Sequence, residues 1–89
     1  MILLNRELRV GKSVFKGAAA AGWTPGQLLH LMAEVYWLYR TETGIERPAG
    51  LFVSKMRDSA PTHYTDPVEP SWSWLRQAWP ALPVFQKTK

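Results

Sequence analysis

Apolar positions recur along this chain at helical spacing, and nowhere with the alternation of a half-buried strand. From Leu28 onward, Leu28, Met32, Val35 and Tyr39 fall on one line at about 100° per residue. Leu31 and Leu38 flank that line on one side, Leu29 and Tyr36 on the other. So wide an apolar surface exceeds what one antiparallel neighbour covers. The pattern therefore predicts a long helix over about residues 24–43 at the centre of the core, wrapped by several others. Its ends are marked. Thr24 supplies an N-cap hydroxyl, Pro25 suits the first helical position, and Gln27 stands where a capping box needs it. Gly44 is the natural stop.

Shorter elements surround it. Ile2 to Val10 carries apolar residues at 3, 4 and 8 and predicts a helix closed by Gly11. Ser13 to Ala21 reads as an alanine-rich helix ended by Gly22, whose small side chains should let it cross a neighbour tightly. Gly17 weakens that helix by about 1 kcal/mol relative to alanine, so tertiary contacts must hold it. Arg47-Pro48-Ala49-Gly50 opens a fourth helix to about Asp58, with Ala49, Phe52, Val53 and Met56 as its apolar face. Residues 59–70 hold three prolines and no apolar period, which predicts a loop. Ser71 then caps a short helix, Trp72 to Trp79, stopped by Pro80, and the remainder is an extended tail with a basic end at Lys87 and Lys89. The reading is all-α: a small bundle of four to five helices built around the central long one, with a helix-turn-helix-like hairpin and a Trp-rich C-terminal tail. It divides into a helical module at 1–58, a proline-containing loop at 59–70, and a Trp-rich helix with its tail at 71–89, packed on the module.

Composition narrows the function classes. Eighty-nine residues make one small domain or a piece of a larger assembly. With no cysteine, disulfides, thiolate zinc sites and thiol nucleophiles are excluded, and a reducing, cytoplasmic setting fits. No apolar run approaches the roughly 20 residues of a membrane span, and Asn5, Arg6 and Glu7 interrupt the N-terminal apolar stretch too early for a signal peptide. Eleven Lys and Arg against seven Asp and Glu give a net charge of +4, which favours polyanionic partners.

Catalytic chemistry finds no constellation. His30 and Glu34 lie one turn apart but are two groups, short of a metal site, and His63 has no second ligand at such spacing. Asp58, Asp66 and Glu69 are isolated carboxylates, and Ser13, Ser54, Ser59 and Ser71 lack a nucleophile context. Gly11-Lys12-Ser13 has neither the upstream glycine nor the strand of a phosphate-binding loop. The expectation is a protein without enzyme activity, cofactor or small-molecule substrate.

The candidate binding residues are basic and aromatic. Basic side chains gather in sequence at Arg6, Arg9, Lys12 and Lys16, and again at Arg40, Arg47, Lys55 and Arg57. Lys12 and Lys16 share a helix face, and Arg47 precedes a helix start whose free N–H groups suit a phosphate. Lys12, Lys16, Arg40, Arg47, Lys55 and Arg57 are the expected phosphate contacts, provided that the fold brings them to one side. Trp37 falls in a polar strip with His30, Ala33, Glu34 and Thr41. Either the Trp-rich segment folds back over it, or Trp37, with Trp72 and Trp74, offers a stacking surface or partner anchor. Ala18-x-x-x-Gly22 followed by Leu28 and Leu31 has helix-turn-helix spacing, with Gln27 and His30 as base readers, although Pro25 and Gly26 sit where base contacts should be.

Three stretches carry a family resemblance: Leu3-Leu4 through Val10-Gly11-Lys12-Ser13-Val14 to Ala18-Ala19-Ala20; Gly22-Trp23-Thr24-Pro25-Gly26-Gln27-Leu28-Leu29; and Gly44-Ile45-Glu46-Arg47-Pro48-Ala49-Gly50-Leu51-Phe52-Val53-Ser54-Lys55-Met56-Arg57. Over residues 3–58 the chain resembles the helical modules that end bacterial, plasmid and phage replication-initiation proteins, DnaD-like and helix-turn-helix proteins among them. Arg47 stands where that pattern usually has Asn, and the Trp-rich tail lies outside it. The resemblance implies a role on DNA or in docking to a replication complex, without catalysis. Three functions follow in order: a nucleic-acid-binding module or small subunit of a larger nucleoprotein complex, such as the backbone-contacting small subunit of a CRISPR effector; a protein–protein adaptor that docks Trp72, Trp74, Trp79 and Phe85; and a sequence-specific regulator.

Overall fold

A computed structural model describes residues 2–85, with side chains from Asn5 onward. Lys87 and Lys89 and the side chains of Leu3 and Leu4 lie outside the described residues. Five α-helices follow in order: α1 (Ile2–Leu8), α2 (Lys12–Ala20), α3 (Pro25–Thr41), α4 (Pro48–Asp58) and α5 (Ser71–Ala78). Two 3₁₀ turns, Pro61–Tyr64 and Pro83–Phe85, complete the regular structure, and no strand occurs among the described residues. The chain is all-helical.

The local signals around α3 operate as their chemistry dictates. Thr24 Oγ1 accepts the N–H of Gln27 at 3.2 Å, and Gln27 Oε1 accepts the N–H of Thr24 at 2.9 Å. This reciprocal capping box satisfies two otherwise orphaned donors. Upstream, Gly22 with φ of +99° closes α2 in a Schellman motif: Trp23 N–H bonds the Ala18 carbonyl and Gly22 N–H the Ala19 carbonyl. Trp23 and Ala18, the pair which that motif brings together, are both buried.

Four elements pack on α3: α1, α4, α5 and the Pro61–Tyr64 turn. Leu31, Met32 and Val35 are wholly buried, as is Phe52 of α4, each contributing about 2 kcal/mol. Phe15 of α2 meets Phe52 edge-on at 6.0 Å. The core also takes in Tyr64, Trp72, Leu75 and Leu82, so the C-terminal third shares one hydrophobic cluster with Leu8, Val10 and Ala18.

Several expectations need correction. The alanine-rich α2 does not cross a neighbour on its small side chains: Ala18 alone is buried, while Gly17, Ala19, Ala20 and Ala21 face solvent. Its contacts come from Val14, Phe15 and Ala18. Residues 59–70 are more than a loop, because the 3₁₀ turn drives Tyr64 into the core beside Trp23, ring centroids 5.7 Å apart. Ser71 is the first residue of α5 and not its cap. Its buried hydroxyl donates to the Val68 carbonyl at 2.6 Å, and the Glu69 carboxylate takes the capping role, accepting both N–H and Oγ–H of Ser73. The tail beyond Pro80 is anchored, with Leu82 buried and Phe85 against Trp72 at 5.1 Å.

The two glycines around α2 should respond oppositely to alanine. A Cβ on Gly17 meets nothing within 4 Å, so Gly17→Ala is expected to stabilise the protein by about 0.5–1 kcal/mol. Gly22 sits in the left-handed region, so Gly22→Ala should destabilise it by about 1 kcal/mol or more. Urea unfolding of the two variants beside the parent checks both signs.

Candidate nucleic-acid interface

The junction between α1 and α2 is built around a displaced arginine. Leu8 and Val10 are both buried, so the residue between them must turn outward. Arg9 does so with φ of +59°, in the left-handed region that costs a non-glycine residue about 1 kcal/mol or more. Asn5 holds the turn: its Oδ1 accepts Val10 N–H at 2.8 Å and its Nδ2 donates to the Val10 carbonyl at 3.1 Å. Helix α1 consequently ends at Leu8, two residues before the expected end at Val10, and Gly11 does not close it but serves as the N-cap of α2.

Across from this junction α4 begins without a side-chain cap. Arg47 occupies the N-cap position and its side chain makes no capping bond. Pro48 has no N–H, and the first intrahelical bond runs from Leu51 N–H to the Arg47 carbonyl at 3.2 Å. The N–H groups of Ala49 and Gly50 are left without an intrahelical acceptor, at the positive end of the helix dipole.

These two features face one cleft of about 750 Å³. Arg6, Arg9 and Arg47 line it together with Pro48, Ala49 and Gly50, and Glu7, Glu46 and Tyr39 complete its wall. All three arginines are exposed. Among the described residues the one ion pair is Lys55–Glu34, so neither glutamate lies within bonding reach of these guanidinium groups. Three cations stand against two carboxylates here, and the donors, five to each guanidinium, are available to an incoming anion.

A second, smaller cleft of about 310 Å³ adjoins the first, Glu7 belonging to both walls. It is formed by Tyr36 and Arg40 of α3 with Trp74, Ala78 and Trp79. Trp74 and Trp79 are half-buried and lean on the Tyr36 ring at 5.8 and 6.0 Å. Arg40 Nη1 donates to Tyr36 Oη at 2.8 Å, and its guanidinium lies 5.6 Å from the same ring.

The expected contact residues thus separate. Arg47 lines the larger cleft and Arg40 the smaller. Lys12, Lys16 and Arg57 are exposed on α2 and α4 and line neither. Lys55 is engaged with Glu34 at 3.8 Å. Trp72 is withdrawn by burial: it is 7% exposed, packed between His30 and Phe85, and serves as core and not as a stacking face. Trp37 is half-buried, and the Trp-rich helix sends its rings to Tyr36 and His30, with no ring pair to Trp37 among the described residues. Both proposed base readers are occupied. Gln27 is held by Thr24 and donates to Thr65 Oγ1, and His30 directs Nδ1 to the Tyr64 carbonyl at 2.7 Å. Arg6 and Arg9 join the site although they stood outside the expected contacts. Their membership of a basic run was visible, but the outward turn at Arg9 was not.

The His30–Glu34 part of the polar strip on α3 is covered by the 3₁₀ turn, while Thr41 stays exposed. Tyr64 Oη donates to Glu34 Oε1 at 2.6 Å, and Ala33 is buried. Burial first, then the hydrogen bond and the negative charge of Glu34, push the Tyr64 phenol up to about 12.

No family model matches this chain, and neither a curated protein nor a solved structure matches it.

Two measurements follow from this geometry. Arg9→Gly should raise stability by roughly 0.5–1 kcal/mol, because glycine adopts the left-handed conformation without penalty; Arg9→Ala should bring no such gain. The raised phenol pKa makes a stabilising contribution that is whole below about pH 10 and is lost as pH climbs through 12. Urea midpoints across pH 9–12 should therefore fall more steeply for the parent than for Tyr64→Phe.

Proposed function

We propose that this protein is a non-catalytic nucleic-acid-binding module that grips a phosphate backbone within a larger assembly. The observation that carries this reading is the convergence of Arg6, Arg9 and Arg47 on the uncapped start of α4 in one open cleft. Guanidinium forks and helix N-terminal N–H groups are the two protein donors best matched to phosphate oxygens. The engagement of Gln27 and His30 inside the fold favours backbone contact over base-edge reading. Resemblance of residues 3–58 to replication-initiation modules points the same way, and from it we infer a cytoplasmic, replication-related setting. The adaptor reading is weakened by Trp72, an expected anchor that is part of the core.

Fluorescence anisotropy with a labelled oligonucleotide, repeated across a salt series, tests this reading. Binding should weaken steeply with salt. Arg6→Ala with Arg47→Ala should weaken it about tenfold or more at low salt and flatten the log–log slope by about 1.5 to 2. Arg57→Ala, outside the cleft, should change affinity far less. Undetectable binding at low salt, or a double variant that binds like the parent, overturns the proposal.

A further inference from the structure

We infer that the cleft formed by Tyr36, Arg40, Trp74 and Trp79 receives an unpaired base of a single-stranded nucleic acid whose backbone lies in the neighbouring arginine cleft; this rests on the phosphate-backbone reading above. The two clefts share Glu7, and the consecutive residues Tyr39 and Arg40 belong one to each. A ligand held by Arg6 and Arg47 therefore continues directly onto the aromatic surface.

The tryptophans there pack against the core but are only partly taken up by it. Trp72, Leu75 and Leu82 are buried and already fix the C-terminal segment to the core. Trp74 and Trp79 nevertheless remain half-buried at a notch. Tyr36, itself buried, backs both rings. Arg40 is oriented by its bond to Tyr36 Oη, which leaves a cation with spare donors beside the rings. Aromatic faces beside a cationic backbone track are the arrangement that retains single strands, since any base offers a π-face once it is unstacked. In a duplex the bases are paired and stacked, and only their edges reach the grooves. A notch of about 310 Å³ set back beside the phosphate site selects for a base that can swing out.

The test compares three ligands of equal length at one salt concentration: oligothymidylate, an abasic strand with the same phosphates, and a duplex. Binding by the parent protein should be about tenfold tighter to oligothymidylate than to the abasic strand, with quenching of tryptophan fluorescence. Trp74→Leu and Trp79→Leu, which keep apolar volume at each site, should remove that preference while leaving abasic-strand and duplex affinities unchanged. Those two unchanged affinities also report that the variants are folded. Equal affinity of the parent for oligothymidylate and the abasic strand overturns the base site while leaving the phosphate site standing. The base site is likewise overturned if the leucine variants keep the full preference, in which case the notch serves another occupant, such as an apolar side chain of a protein partner. Failure of the phosphate reading is a different result: no detectable binding to any of the three, even at low salt.

Discussion

A helix whose apolar residues run around more than one face must be covered from several directions, and α3 imposes that demand on this whole chain. Leu31, Met32, Val35, Ala33 and Tyr36 cannot all be buried by one neighbour, so α1, α4, α5 and the Pro61–Tyr64 turn each take a sector. Without cysteines or a metal cluster among the described residues, this packing is what holds the fold. The radius of gyration, 12.5 Å, is close to the roughly 12 Å expected of a compact chain of this length. The surface features are consequences. Because α1 and α4 both lean on α3, the end of one and the start of the other meet near its C-terminal half, and there the arginine cleft opens.

That cleft departs from the local rules obeyed elsewhere in the molecule. The start of α3 has a complete capping box and that of α5 a carboxylate, whereas α4 starts on an arginine that caps nothing. The C-terminus of α2 uses glycine for its left-handed residue, whereas the junction after α1 uses Arg9. A chain that optimised stability alone would place Asp, Ser or Asn at position 47 and glycine at position 9. Both departures put a guanidinium at the same opening. Local conflict concentrated at one place in an otherwise self-consistent sequence is the observation on which the proposed binding role leans.

How far the sequence made this legible depends on what kind of physics each feature uses. Helix ends are local: the Thr24–Gln27 box, Gly22 and Pro48 act within four residues, so the start of α3 and both ends of α4 were readable nearly to the residue, whereas α3 stops at Thr41 with Glu42 as its C-cap and not at the expected Gly44. Tyr64 was not, because its burial depends on Glu34 and Trp23, partners 30 and more residues away, and a proline-rich stretch carries no periodicity to announce it. The alanines of α2 misled for a related reason. Small side chains permit close approach but do not enforce it, and Phe15, which meets Phe52, decides how that helix sits. Arg47 could be placed at the start of α4 from the sequence because a helix start is a local feature. Arg6 and Arg9 required knowing that Asn5 clasps Val10 and throws the intervening residue outward.

The aromatic residues divide along the same line between fold and surface. Five tryptophans in so small a domain exceed what its core absorbs. Trp23 and Trp72 are buried, while Trp37, Trp74 and Trp79 keep part of their rings in water. A buried tyrosine with an arginine bonded to its hydroxyl is a stiff support, because neither partner can rotate without losing the 2.8 Å bond between them. Rings leaning on such a support hold their positions before any ligand arrives, which lowers the entropy lost on binding. The arginines of the larger cleft are the opposite case: exposed, long, and without an ion pair among the described residues, they keep their rotational freedom. In the role proposed for them, a rigid apolar notch beside a compliant cationic cleft would divide the work, one side fixing position and the other supplying long-range attraction; both derive from which residues the burial of α3 leaves outside.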